Sequence, residues 1–257
     1  MIRDPDSALV QRLHPSPNFE PRKDQRRPDL LLLHYTGMAC VERAIDWLAR
    51  PESKVSCHYV IAEDGTITQM VAEDVRAWHA GQSHWAGESD INSCSIGIEI
   101  HNCGHSEGYP EFPPAQMTAV TRLSADIVAR HAIPAGRVLA HSDVAPARKV
   151  DPGEKFDWRR LAEAGAGRWI EPQPVDLTGF SFGLGQRAAE IADAQHMLRR
   201  YGYGVDVTGV LDEPTQFVLR AFQLHWRPQL VDMRLDGSTL LTLRRLLAAA
   251  EAEAAVA

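Results

Sequence analysis

The spacing of apolar residues divides this chain into elements before any chemistry is considered. "PDLLLLHYTG" holds four consecutive leucines, too short a run for a helix, and predicts a buried strand that ends at His34, with Gly37 breaking it. "VERAIDWLAR" sets Val41, Ala44, Ile45 and Leu48 at helical spacing, and Pro51 stops the helix. "SCHYVIAEDGTITQMV" reads as two β-rich runs joined by Asp64-Gly65, a hairpin signal. "CSIGIEIHN" alternates, with Ile96, Ile98 and Ile100 on one face and Gly97, Glu99 and His101 on the other. "PPAQMTAVTRLSADIVARHAIP" places Met117, Val120, Leu123 and Ile127 on one side of a helix. "RVLAHSD" is a short strand and "FDWRRLAEAG" a short helix.

Residues 1–26 are polar and proline-rich and are expected to form an extended arm. Residues 27–170 then predict one α/β (α+β) domain, a mixed central β-sheet covered by helices. "EPQPVDLTGFSFGLGQR", residues 171–187, has the Pro and Gly content of a linker. Three helical runs follow, roughly 188–201, 213–225 and 237–250, and predict a small three-helix domain over 188–250. Asp212 before Glu213 and Pro214 has the form of a helix N-cap. Residues 251–257 are expected to be a frayed tail.

Composition narrows the classes. The chain has 257 residues, 44% hydrophobic and 24% charged, as in ordinary globular proteins. A net charge of −7 gives no basic footprint for nucleic acid or an anionic membrane. No apolar run has membrane-spanning length, and the first residues lack the apolar core of a secretory signal. A cytoplasmic location is therefore expected; the alternative is a periplasmic or cell-envelope protein whose leader has been removed. The four cysteines form no CxxC pair and are expected to be idle thiols.

The stretch "HSDVAPARKVDPG" (141–153) is polar, and Pro146 and Pro152 argue for an irregular loop. His141 and Asp151 flank it. A catalytic zinc site needs three protein ligands and one open position. His34, at the C-terminal end of a strand, is a candidate third ligand, though a histidine there also serves as a purely structural residue. The face bearing Glu99 and His101 is either solvated or lines a cleft; in a cleft, a carboxylate near a metal is suited to general-base work.

Taken together, "LLLHYTG", "VSCHYVIAEDGTITQMVAEDVRAWHAG", "SIGIEIHN" and "AHSDVAPARKVDPGEKFDW" resemble the zinc-dependent N-acetylmuramoyl-L-alanine amidases of the AmpD/AmiD type, whose fold is shared with peptidoglycan recognition proteins. The resemblance spans about residues 29–160. It implies that His34, His141 and Asp151 bind one Zn2+ ion, that Glu99 is the catalytic carboxylate and that Lys149 supports the reaction. It makes Trp78 and His79 walls of the cleft, with Tyr35 and His101 as further substrate-binding candidates. Arg148 receives no role. The implied substrate is peptidoglycan or a muropeptide, cut between the lactyl group of N-acetylmuramic acid and L-alanine. The C-terminal region resembles a three-helix peptidoglycan-binding domain, with "LDGSTLLTL" a shortened form of its usual motif. A monomer is expected. Two other readings stay open: a non-catalytic recognition protein, and a zinc hydrolase of another cell-wall amide.

Overall fold

The computed structural model describes residues 2 and 4–255. In chain order the first part carries β1 (Arg12–Leu13), β2 (Phe19–Pro21), β3 (Leu30–Tyr35), α1 (Val41–Leu48), β4 (Tyr59–Ile61), β5 (Ile67–Gln69), β6 (Val75–Ala77), α2 (Ile91–Cys94), β7 (Ser95–Ile100), α3 (Pro114–His131), β8 (Val138–Ala140), α4 (His141–Val144) and α5 (Trp158–Glu163). The second carries β9 (Ser181–Phe182), α6 (Ala189–Tyr201), α7 (Glu213–Trp226), β10 (Leu235–Asp236) and α8 (Gly237–Ala254). The main sheet is mixed, in the order β1-β5-β4-β7-β3-β8, with β4, β7, β3 and β8 mutually parallel and β5 antiparallel to β4.

All four leucines of β3 are fully buried because the strand is covered on both faces. Leu31 and Leu33 join Ile96, Ile98 and Ile100 beneath Val120, Leu123 and Ile127 of α3 and Leu161 of α5. Leu30 and Leu32, on the opposite face, belong to a cluster with Leu139, Trp85 and the C-terminal helices, among them Leu198, Leu219, Phe222 and Leu246. A smaller patch packs Ile45 and Leu48 of α1 on Val60, Cys57 and Met70. The C-terminal helices thus share one continuous core with the sheet. Asp143 of α4, completely buried, accepts bonds from Tyr203 Oη (2.6 Å) and His225 Nδ1 (2.7 Å) across the same boundary. The ring of His225 is itself stacked between Trp158 and Trp226.

Several details differ from the sequence-based expectation. The arm is extended but lies on the domain: β1 pairs with β5, β2 pairs with β6, and Ser16, Asn18 and Arg22 are buried. The polar loop opens with the single turn α4, because Pro146 and Pro152 both lie beyond it and the Asp143 carboxylate accepts the Ala140 N–H (2.9 Å). Residues 181–182 of the linker pair with β10. α8 continues to Ala254, past the expected end at 250, while 256 and 257 lie outside the described residues. Asp212 caps α7 as expected, its carboxylate accepting the Thr215 N–H. Among the described residues no helix is long and apolar enough to cross a membrane.

A buried carboxylate, Glu73, ties the sheet to the end of α3. It accepts bonds from Tyr59 Oη (2.6 Å), Arg130 Nη2 (2.8 Å) and His131 Nε2 (2.7 Å). Burial pushes its pKa up, but these donors outweigh burial and hold it at about 2. The folded-state value lies below the unfolded one, so this stabilisation is present above about pH 4.5 and is lost as pH falls toward 2. It is on the order of 3 kcal/mol. Chemical denaturation between pH 6 and pH 3 should show about 2 kcal/mol of that loss, and Glu73→Gln should flatten the dependence. The shared core makes a second prediction: calorimetry should give one unfolding transition for the whole chain, and Phe222→Ala should lower it as a unit by about 3–5 kcal/mol. Two separable transitions would show that the core is not continuous.

Candidate metal centre

The site is assembled by strand register. Parallel pairing of β3 with β7 sets His34 directly beside Glu99. On the other side of β3, Leu33 pairs with Ala140 of β8, so His141, the next residue, comes level with His34 near the end of the strand. Glu99, His34 and His141 therefore stand in a row at the carboxyl ends of three adjacent parallel strands, where open sheets commonly place ligands. Asp151 is brought back by the loop, whose own carbonyl at Asp151 accepts the Ser142 N–H (3.0 Å).

Nδ1 of His34, Nδ1 of His141 and Oδ2 of Asp151 converge as a triangle with edges of 2.8, 3.1 and 3.4 Å, and all three residues are buried. Tetrahedral zinc with bonds of roughly 2.0–2.1 Å needs ligand atoms about 3.3 Å apart, close to these edges. Nε2 of His141 lies 3.1 Å from the Ala80 carbonyl and must donate its hydrogen there. A neutral ring ordered in this way presents the Nδ1 lone pair to the carboxylate, an arrangement of two acceptors that a cation between them would satisfy. Burial, and next the nearness of His141, lower the pKa of His34 to about 4, so its ring is neutral at neutral pH. Donor chemistry and spacing both fit a divalent metal.

A cavity of about 280 Å³ opens beside the triangle. Glu99, Lys149 and Tyr35 line it, as do Trp47, Val55 and Leu48 from α1 and the segment after it. Oε2 of Glu99 is buried and has no hydrogen-bond partner. Burial, and then the charge of Asp151, push its pKa well above the ordinary carboxyl value, while Lys149 pulls it back. A carboxyl so placed is ready to exchange a proton with something in the cavity.

The remaining candidates fall in different places. Tyr35 lines the cavity, and its hydroxyl bonds Nδ1 of His105 (3.1 Å), whose Nε2 meets Glu154 (3.0 Å). His79 borders the cavity, but both its ring nitrogens are engaged, Nδ1 with His34 (3.0 Å) and Nε2 with Ser95 Oγ (3.2 Å). Trp78 is not among the lining residues: its backbone N–H donates to Ser56 Oγ and its indole nitrogen is buried without a partner. His101 is buried away from the triangle, bonded to Thr36 Oγ1 (3.1 Å). Arg148, unassigned from sequence, donates to the carbonyls of Ala80 and Gln82 and so holds the segment after His79. Sequence reasoning missed Ser95, which looks like any strand residue, and Trp47, an aromatic 44% exposed on a helix otherwise read by its buried face.

The family model described as N-acetylmuramoyl-L-alanine amidase matches residues 24–154, just over half the chain, and one described as a putative peptidoglycan binding domain matches residues 187–243. The N-acetylmuramoyl-L-alanine amidase AmiD of Escherichia coli is 36% identical over 237 residues, covering 86% of this chain and 83% of that protein. The structure of E. coli AmiD in complex with anhydro-N-acetylmuramic acid-L-Ala-D-gamma-Glu-L-Lys matches with a TM-score of 0.73 at 33% identity, over 89% of this chain and 92% of that one. AmpDh3 from Pseudomonas aeruginosa, in complex with anhydromuramic pentapeptide, matches with a TM-score of 0.72 at 33% identity, over 85% and 91%. With a family model across half its length and a relative matched along most of both sequences, the chain belongs to the N-acetylmuramoyl-L-alanine amidase family.

Proposed function

We propose that the protein is a zinc-dependent amidase that hydrolyses the amide between the lactyl group of N-acetylmuramic acid and L-alanine in peptidoglycan fragments, anhydro-muropeptides among them. The observation that carries the reading is the partnerless Oε2 of Glu99, in one cavity with Lys149, His141 and Asp151, the last two belonging to the triangle that His34 completes. The substrates bound by AmiD and AmpDh3 support the choice of muropeptide. The presence of the whole set favours an enzyme over a recognition protein that has lost its chemistry.

His34, His141 and Asp151 would hold the zinc, which when bound supplies Lewis-acid polarisation of the amide carbonyl and a water of lowered pKa. Glu99 takes a proton from the attacking water as its oxygen adds to the carbonyl carbon. The raised proton affinity of its carboxyl suits that role, because the proton must be kept until the next step. Lys149, lining the same cavity, offsets negative charge on the carbonyl oxygen as the carbon becomes tetrahedral. Glu99 then passes its proton to the departing nitrogen of L-alanine, the C–N bond breaks, and the carboxyl returns to its starting state. The helices at 188–250 are proposed to hold glycan or stem peptide near the cleft, raising its effective concentration, in addition to their packing role.

Incubating the zinc-loaded protein with defined anhydro-muropeptides, and reading the products by mass spectrometry, should release free peptide beginning with L-alanine. Cleavage within the stem peptide would instead support hydrolysis of another cell-wall amide. Glu99→Gln should retain zinc and lower kcat by about 10²–10⁴-fold; full activity in that variant would remove Glu99 from the mechanism. Asp151→Ala should lose zinc on dialysis, as read by metal analysis, because two imidazoles alone leave the site short of a ligand and of its negative charge.

A further inference from the structure

The hydrogen bonds behind His34 form a chain whose every proton can be placed. Ser95 Oγ is 2.6 Å from the carbonyl oxygen of Ile91, which can only accept, so the hydroxyl hydrogen points there. Ser95 Oγ is then an acceptor toward Nε2 of His79, 3.2 Å away, and that nitrogen must carry hydrogen. In the neutral ring of His79, Nδ1 is consequently bare and accepts from Nε2 of His34 at 3.0 Å. His34 thus holds its hydrogen on Nε2, and its Nδ1 is left as a lone pair facing His141 and Asp151.

The surroundings keep the chain rigid. Ser95 is fully buried at the start of β7, and Ile91 opens α2 just before it. The Asn92 side-chain oxygen accepts the backbone N–H groups of His79 (3.0 Å) and Ala80 (2.8 Å), fixing the segment that carries the ring. Gly97 makes room for it: a Cβ there would stand 2.5 Å from Nδ1 of His79. The same segment supplies the Ala80 carbonyl that orders His141.

We propose that Ser95 and His79 are positioning residues that set the tautomer of His34 and so prepare its Nδ1 as a metal ligand before any metal arrives. His79 acts through His34, because both its ring nitrogens are engaged within the protein. The inference rests on the reading of His34 as a metal ligand. It accounts for a buried histidine whose two nitrogens are both used up within the protein, and for a glycine in the middle of a core strand.

The test is long-range 1H–15N correlation of the histidine rings in the metal-free, full-length protein at neutral pH, joined to zinc titration against a competing chelator. In the wild type, His34 should appear with hydrogen on Nε2 alone. Ser95→Ala, which removes the hydroxyl, and Gly97→Ala, which displaces the His79 ring without removing a polar group, should both yield a mixture of His34 tautomers. Both should bind zinc about 10–100-fold more weakly, the usual cost of losing an outer partner of a ligating histidine. A wild-type His34 protonated on Nδ1 would overturn the proposal whatever the variants do. So would variants that melt at lower temperature yet keep the wild-type tautomer and zinc affinity, since that is a purely structural role. Failure of the wild type to bind zinc, with the tautomer as expected, would sink the metal reading instead.

Discussion

Parallel pairing of β3 between β7 and β8 is the constraint on which the rest depends. It sets His34 beside Glu99 and brings His141 level with both, so two ligand candidates and the acid arise from three strands with no long-range adjustment. Side chains alternate along a strand, so a slip of one residue would send His34 into the apolar layer under α3 and turn Leu33 toward the cavity. The leucines prevent it. Leu31 and Leu33 belong to one buried layer and Leu30 and Leu32 to another, and a shifted register would mismatch both.

The second of those layers links the cleft to the C-terminal helices. Leu30 and Leu32 lie on the face of β3 that also carries His34, and the helices from 189 onward keep that face dry. The buried contact of Asp143 with Tyr203 and His225 continues the link to within two residues of His141. A completely buried carboxylate is costly unless its oxygens are satisfied, and here three donors from two regions of the chain satisfy them. The turn that begins with His141 is therefore braced from outside the sheet. Whatever else the C-terminal region binds, it is part of the scaffold that holds this end of the site.

Strand β3, the hairpin at Asp64-Gly65, the alternation in β7 and the spacing of α3 were legible because burial on one or two faces leaves a direct periodic trace. The N-cap at Asp212 was legible for a different reason, its geometry being local. Other features were not. The turn α4 was hidden by two prolines that lie just beyond it, and the extended arm gave no sign that β1 would pair with β5. The family resemblance made His79 a wall of the cleft, and it does border the cavity; what no sequence pattern showed is that both its ring nitrogens are engaged, by Ser95 and His34. His101 shares the alternating face of Glu99, yet one step further along the strand carries it past the triangle to Thr36.

The amino-acid sequence alone determined which segments become strands and helices, and which residue types were available for chemistry: two histidines and an aspartate as donors, a glutamate and a lysine beside them. Periodicity and side-chain chemistry are properties of the chain, so they can be read in one dimension. Only the tertiary structure decided that Nδ1 of His34, Nδ1 of His141 and Oδ2 of Asp151 face one another, and that Glu99 stands in the same cavity without a partner. It also decided where the histidine protons lie. Those outcomes depend on strand register, on carbonyls such as those of Ala80 and Ile91, and on packing from distant helices, none of which leaves a periodic mark in the sequence.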